Sequence, residues 1–518
     1  MSPVLDVAGL TVAFPGVGQV LRGVDLRLEA GRCLAVVGES GAGKSVLARS
    51  LVGLAGEGGA PAQVSATRLH VAGQDLTRAG QRQWRRLRGQ DVGFVLQDAL
   101  QSLDPLRTVG AEVGESLRLQ GVPGPERRRR VLDALTRVGL DEPATRAAQR
   151  SGELSGGMRQ RALIASAIVS GPALLVADEP TTALDATVAR GVLDLLGALR
   201  DAGTAVLLVT HDLGAVARLA DDVVVLDAGR VVESGPVETV LRHPSHDVTR
   251  ALLAAVPRGS RPGTVTSGGQ EVLRASGLTR RYRLPGGGVV DALDDVDLLV
   301  RRGEALGVVG ESGSGKSTLA RMLVAAEEPD DGRVELLGEP WSGLPERRRR
   351  PRRHLVRLVP QDPLASFDPR WTAGQVLAAA VRAAGSDRSP AELLELVRLP
   401  RTVLDRRPRA MSGGQRQRLA IARALAADPA VLVLDEPVSA LDVTVQAAIL
   451  DLLVDLQERT GTALVLISHD LAVVRRVCRS VVVMQGGRVV EQGPVEDVWA
   501  APEAPVTRAL LEAVHPLP

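Results

Sequence analysis

Gly38-Glu39-Ser40-Gly41-Ala42-Gly43-Lys44-Ser45 and Gly310-Glu311-Ser312-Gly313-Ser314-Gly315-Lys316-Ser317 are two versions of one octamer. Each has the spacing G-x-x-x-x-G-K-[ST], continued by Val46 or Thr318. Each follows a short apolar run, Cys33–Val37 or Ala305–Val309, which predicts a buried strand. The spacing predicts a helix opening at Ser45 and another at Ser317. Strand, glycine loop and helix in that order make a phosphate cradle. Backbone N–H groups converge on the phosphate oxygens, and the positive end of the helix dipole adds to them. In such a cradle Lys44 and Lys316 are point charges on the β- and γ-phosphates, and Ser45 and Ser317 offer hydroxyls to Mg2+. The plain alternative is a glycine-rich turn before a helix. It is disfavoured by the rarity of lysine: the chain holds only these two, against 61 arginines.

Working outward, four further paired segments follow the octamers in the same order. The octamers lie 272 residues apart, and Gln97-Asp98 recurs as Gln361-Asp362 after 264. Leu154-Ser155-Gly156-Gly157-Met158 returns as Met411-Ser412-Gly413-Gly414-Gln415, 257 residues on. Ala177-Asp178-Glu179-Pro180 returns as Leu434-Asp435-Glu436-Pro437 after 257, and His211-Asp212 as His469-Asp470 after 258. Steady offsets mean an internal duplication. The stretch PRGSRPGTVTSGGQE at 257–271 lacks apolar periodicity and reads as a joint. The expected units are therefore 1–257 and 272–518, joined by 258–271. Further buried strands are predicted at Ala173–Ala177, Val431–Leu434, Ala205–Val209 and Ala463–Ile467. Strands alternating with helices imply a largely parallel sheet in each half. The Arg- and Pro-rich stretches at about 98–150 and 362–408 read as helical subdomains inserted into each core.

Composition narrows the class. The chain has 518 residues, 45% apolar and 24% charged, which suits a globular protein with several cores. Its longest uncharged run, Ala162–Ala177, is shorter than a spanning helix and is broken by Gly171-Pro172. The N-terminus carries no signal-peptide pattern. Two cysteines, Cys33 and Cys478, cannot build a disulfide framework or a zinc site, and a reduced cytosolic setting is the default. A net charge of +2 argues against a dedicated nucleic-acid binder. The arginine runs at 127–130 and 347–350 read as solvated helix faces or turns, with contact to anionic lipid as the alternative.

The paired residues assign themselves to phosphoryl chemistry. Asp178 and Asp435 end buried strands, where open α/β sheets bind ligands, and can hold Mg2+. Glu179 and Glu436 follow and can polarise an attacking water as general bases. His211 and His469 end the next strand and can hydrogen-bond the γ-phosphate. Gln97 and Gln361 are neutral amides that can reach the Mg2+ or the water.

With these segments in hand, the sequence resembles the ABC-transporter ATPase family, twice over nearly the whole chain. The resemblance also rests on Ala183-Leu184-Asp185 and Ala440-Leu441-Asp442. It implies two tandem P-loop NTPase domains, each a RecA-like core with an inserted helical subdomain, that bind and hydrolyse ATP with Mg2+. In this family the Ser-Gly-Gly segment closes over ATP held by the opposite half. Ser155, Gly156 and Gly157 would then meet ATP on Lys316, and Ser412, Gly413 and Gly414 would meet ATP on Lys44. The family stacks adenine on an aromatic ahead of the octamer, which points to Phe14 and Tyr282.

A narrower likeness is to the importer ATPases for oligopeptides, dipeptides and nickel. It is carried by the extended glutamine loops, Gln97 to Pro105 and Gln361 to Arg370, and by the tails Thr249-Arg250-Ala251-Leu252-Leu253 and Thr507-Arg508-Ala509-Leu510-Leu511. Those importers pair a methionine-ended signature with a glutamine-ended one, and Met158 and Gln415 reproduce the pair in one chain. The resemblance implies an ATPase pairing its own two halves, peripheral at the cytoplasmic face of the cell membrane. Two permease subunits and an extracytoplasmic solute-binding protein would complete the system, with glutathione as a further solute. The rival readings are a tandem ATPase acting on ribosomes or DNA, and an exporter ATPase.

Overall fold

The computed structural model describes residues 3–56, 61–96, 102–181, 184–257, 259, 269–283, 288–439 and 441–513. Gln97, Ala183, Ala440 and most of the joint at 258–271 lie outside them.

Each half is built on a mostly parallel sheet whose central strands are largely apolar, because both faces are covered. In the first half, Cys33–Val37 lies between Ala205–Val209 and Asp222–Asp227, with Leu174–Asp178 and then Val92–Val95 beyond Ala205–Val209. Arg230–Pro236 closes the far edge antiparallel. Leu34 and Val36 join the core shared with an antiparallel sheet, while Ala35 and Val37 pack with Leu213 and Val216 on the other side. The second half repeats the order, with Ala305–Gly310 between Ala463–Ser468 and Ser480–Gln485, then Val431–Asp435 and Val356–Val359. Antiparallel sheets led by the pairs Leu5–Phe14/Gly18–Leu28 and Glu271–Arg283/Val289–Arg301 cover one face of each core.

The strand order fixes the chemistry. It sets the octamer, the acid pair and the histidine at the same C-terminal sheet edge, as registers Asp178↔Val209 and Val36↔Val209 require. The expected strands are present, Cys33–Val37 and Ala205–Val209 without change, the others extended by one residue or shifted by one. Both octamer helices open at the lysine, one residue before the expected serine.

The inserts are helical. Val109–Val113, Glu115–Leu119, Gly124–Arg137 and Pro143–Ala148 form the first, Ala373–Ala384 and Pro390–Leu396 the second. The helices Gly156–Ile168 and Gly413–Leu425 bury their apolar faces against them. The arginine runs are not merely solvated. Arg127 and Arg130 donate to the carbonyls of Val122 and Val169. Arg349 pairs with Glu328, and Arg352 and Arg353 cover the fully buried Trp341 at 5.9 Å from its ring centre. Most of these partners lie more than ten residues away, so charge pattern alone did not expose these clamps.

Candidate functional site

The two glycine loops differ position by position in what a side chain would meet. A Cβ at Gly38 would strike the Leu226 carbonyl, and one at Gly310 the Met484 carbonyl. At Gly41 and Gly313 there is open space, and φ is 84° and 83°, so these glycines serve a left-handed turn. Glu39, Ser40 and Ser312 are exposed at the rim, whereas Ala42 and Ser314 are buried beneath the loop. Gly43 and Gly315 cap the helices with φ of 103° and 100°. Val46 packs on the first core, and Thr318 is half-buried at the matching position.

Both lysines fold back on their own loops. Lys44 Nζ donates to the carbonyls of Gly38 and Glu39 at 2.8 and 3.0 Å. Lys316 Nζ donates to Gly310 and Glu311 at 2.8 and 2.7 Å and to Ser314 Oγ at 3.3 Å. Burial pulls both ammonium pKa values down, and nearby carboxylates oppose it. For Lys44 these include Glu179 and Asp442, and for Lys316 they include Glu436 and Asp185. Asp442 and Asp185 belong to the opposite half in each case.

The hydroxyl–aspartate pairs are assembled. Ser45 Oγ donates to Asp178 Oδ1 at 3.1 Å, and Ser317 Oγ to Asp435 Oδ1 at 3.4 Å. Asp178 is 1% exposed, and its Oδ2 has no hydrogen-bond partner among the described residues. Burial, countered by the Ser45 hydrogen bond, pushes the Asp178 carboxyl up to about 6, and burial also raises Asp435. A buried acceptor with a free oxygen beside a hydroxyl fits a hard cation.

The next residues take strained backbone. Glu179 and Glu436 have φ of 50° and 45°, with their N–H groups held by Val209 and Ile467. That turn separates their carboxylates from the aspartates before them. His211 Nδ1 lies 3.4 Å from Glu179 Oε1, and His469 Nδ1 lies 3.4 Å from Glu436 Oε1. Burial alone would lower both histidines, but the hydrogen bond and charge of the glutamate outweigh it and raise them. Burial likewise tends to raise Glu436, and His469 reverses that, so the carboxylate stays ionised. Gln361 Nε2 donates to Glu436 Oε2 at 2.9 Å.

The signature segments begin helices. Ser155 Oγ accepts from Met158 N and Ser412 Oγ from Gln415 N, each at 3.3 Å. Gln415 Oε1 in turn accepts from the Ser412 N–H at 3.2 Å, which Met158 cannot do. Ser155, Gly156, Ser412 and Gly413 are exposed. A Cβ at Gly157 would press Val188 at 2.8 Å, and one at Gly414 would overlap Val445.

These contacts lead across the halves. Val188 and Val445 lie in the first turns of helices Ala186–Asp201 and Val443–Thr460, capped by Asp185 and Asp442. Thr187, next to Val188, donates to Glu311 of the second octamer at 2.9 Å. So the first signature packs on a turn that touches the second phosphate loop. Thr444, the counterpart of Thr187, bonds its own Asp442 at 2.7 Å, so the two crossings are not identical. Thr187 had no role in the sequence reading. The recurrence of Leu184-Asp185 as Leu441-Asp442 marked the turn, but not its neighbour across the interface.

The aromatics are placed differently. Phe14 pairs with Gly18 at a hairpin end and packs half-buried on the core. Tyr282 donates its hydroxyl to Glu327 at 2.6 Å, with Arg280 5.2 Å from the ring centre on one face.

The ABC transporter family model matches residues 21–182 and again 293–439, so it covers both loops, both signatures and both acid pairs. The chain belongs to the ABC transporter family. It is an ATPase with two ATP-binding domains in tandem. Residues 232–276 of this ABC ATPase also match the C-terminal region of oligopeptide/dipeptide transporters. It is 41% identical to the peptidoglycan transport ATP-binding protein YejF of Agrobacterium fabrum, over 99% of this chain and 96% of the relative. It is 38% identical to the oligopeptide transport ATP-binding protein OppD of Mycobacterium tuberculosis, over 99% and 98%. It is 39% identical to the glutathione import ATP-binding protein GsiA of Salmonella typhimurium, over 99% and 89%. Among solved structures, an archaeal ribosome recycling factor bound to a stalk protein superposes with TM-score 0.64 at 19% identity, covering 93% of this chain and 90% of that one. At that identity the likeness concerns the fold, including the tandem layout. No helix among the described residues is long and apolar enough to cross a membrane.

Proposed function

We propose that this ATPase powers the import of oligopeptides, dipeptides or a related small solute such as glutathione or nickel, through separate permease subunits. The observation that carries the paired mechanism is the crossing at Thr187 and Glu311, reinforced by the charges of Asp442 on Lys44 and Asp185 on Lys316. The importer reading is supported by the match at 232–276 and by what the relatives' names say of them.

In this reading, ATP draws Lys44 and Lys316 off their own carbonyls and onto phosphate oxygens. Ser155 and Gly157 face the ATP on Lys316, and Ser412 and Gly414 face the ATP on Lys44. Phe14 and Tyr282 lie under the adenines. Ser45 with Asp178, and Ser317 with Asp435, are the residues that would hold Mg2+. Gln97 and Gln361 would approach it from the insert. Mg2+ held by these residues would neutralise phosphate charge. Glu179 beside His211, and Glu436, kept ionised by His469, take the proton of the attacking water. Binding closes the halves, hydrolysis reopens them, and the inserts pass the motion to two permease subunits at the cytoplasmic face of the membrane, fed by a solute-binding protein. We take 1–257 and 272–518 as the two working units.

The test is Glu179→Gln with Glu436→Gln in the purified chain. ATP binding is retained, and turnover falls by about 10²- to 10⁴-fold, the usual contribution of a positioned base. Hydrolysis at the parent rate contradicts the assignment. In cells, the chain fractionates with membranes carrying its permeases. Recovery on ribosomes or nucleoid instead favours the rival reading.

A further inference from the structure

The second half carries two neighbouring arginine side chains with no carboxylate of their own among the described residues. Arg357 stands on the edge strand Val356–Val359, just ahead of Gln361. It is half-buried, and its Nε is fully buried without a hydrogen-bond partner among the described residues. Arg423 stands near the end of the signature helix Gly413–Leu425. It lies 4.8 Å from the ring centre of Phe367 and donates to the carbonyl and hydroxyl of Ser366 at 2.8 and 2.9 Å. Ser366 and Phe367 belong to the extended glutamine loop, Ser366 exposed and Phe367 buried. Strand, loop and signature helix therefore meet around two cations.

The charge that each arginine feels is of its own sign. Burial, then the charge of Arg357, pulls Arg423 below the usual arginine value. Burial, then Arg353, does the same to Arg357. The acids nearby in sequence are already committed. Asp362 accepts from the N–H groups of Leu364 and Ala365 at 2.9 and 3.4 Å, Asp368 pairs with Arg370, and Glu346 pairs with Arg353. A half-buried guanidinium without a counter-ion is costly, and a second one in range adds to the cost. The fold does not require either. The repeat offsets put Gly93 and Ser166 at these positions in the first half. A Cβ at Gly93 would strike the Ala167 carbonyl, and Ser166 Oγ donates to the Leu163 carbonyl at 2.7 Å. The first half thus has neither the cations nor, at Gly93, room for one.

We propose that Arg357 and Arg423 receive one carboxylate, an aspartate or glutamate on a cytoplasmic segment of a permease subunit, and that only the second half can take it. The inference rests on the importer reading above, which sets permeases against the inserts. Guanidinium forks match a carboxylate, and one such group offsets both charges. Ser366, exposed where Arg423 holds it, leaves the site open to a partner. Gln361 opens the same loop and bonds Glu436, so the acid seats on the segment that leads to the general base. The two permeases are then told apart by charge, and the one bearing the acid belongs to the second half.

The test co-expresses the full chain with its two permease subunits, solubilises the membranes in detergent and measures permease recovered per chain. Arg357→Gln removes a charge that has no partner in this chain. The isolated variant is expected to melt no lower than the parent and to keep its basal ATP hydrolysis. Permease recovery falls by about fivefold or more, as when one member of a desolvated charge pair is truncated. Arg357→Glu loses recovery in the same way, and exchange of one cytoplasmic acid for arginine in one permease restores it. A smaller fall, a lower melting temperature, or no restoration by any such exchange overturns the proposal while leaving the importer reading in place. If the parent chain recovers no permease, that reading fails and the proposal with it. Millimolar inorganic phosphate is the control for a free anion. The octamers bind phosphate too, so an equal rise in melting temperature for parent and Arg357→Gln is expected. A larger rise for the parent assigns the arginines to a free anion and overturns the proposal.

Discussion

Asp178 is the clearest case of a residue whose cost and use are the same property. Its carboxyl is pushed up to about 6 by burial, against an ordinary value of 3.8, and one of its oxygens is unpartnered among the described residues. Between those two values the folded state binds more protons than the unfolded one. Stability from this group therefore falls as pH rises through that window and stays reduced above it. The shift corresponds to about 3 kcal/mol at most. Asp178→Asn keeps an oxygen for Ser45 and removes the charge. Nucleotide-free melts of this variant should run several degrees above the parent at pH 7.5, with the gap closing below about pH 4. A variant less stable than the parent at pH 7.5 contradicts the burial argument. The identity of Asp178 was plain in the sequence, from its place after an apolar strand. Its free oxygen and the left-handed turn at Glu179 were not, since both depend on packing against Ser45 and Val209.

The two signature helices offer an internal comparison. Both are N-capped by serine, but only Gln415 completes a reciprocal box with its cap. Met158→Gln supplies the missing bond to Ser155 N–H and should stabilise the first half by about 0.5–1 kcal/mol, with Gln415→Met losing a similar amount from the second. Denaturant unfolding of the full chain reads both. Equal stability in all three proteins would mean the boxes carry nothing. At this scale the sequence was most informative where the signal is local. Apolar strands such as Cys33–Val37 are covered on both faces and announce themselves. It was least informative where a side chain answers to a distant partner. Arg349 looked like one of a solvated run and pairs with Glu328, while Arg353 covers Trp341.

The whole molecule is two unequal copies of one machine turned toward each other. Recurring offsets made the duplication legible, and the strand order made each site coherent. The facing of the halves was expected from resemblance alone, and it now rests on the path from Gly157 through Val188 and Thr187 to Glu311. The most direct measurement is an experimental structure of the Glu179→Gln, Glu436→Gln chain with MgATP trapped. The account predicts two nucleotides, with Ser155 within hydrogen-bonding distance of the γ-phosphate held by Lys316 and Ser412 within that distance of the one held by Lys44. A trapped structure in which either γ-phosphate is touched only by residues of its own half would contradict it.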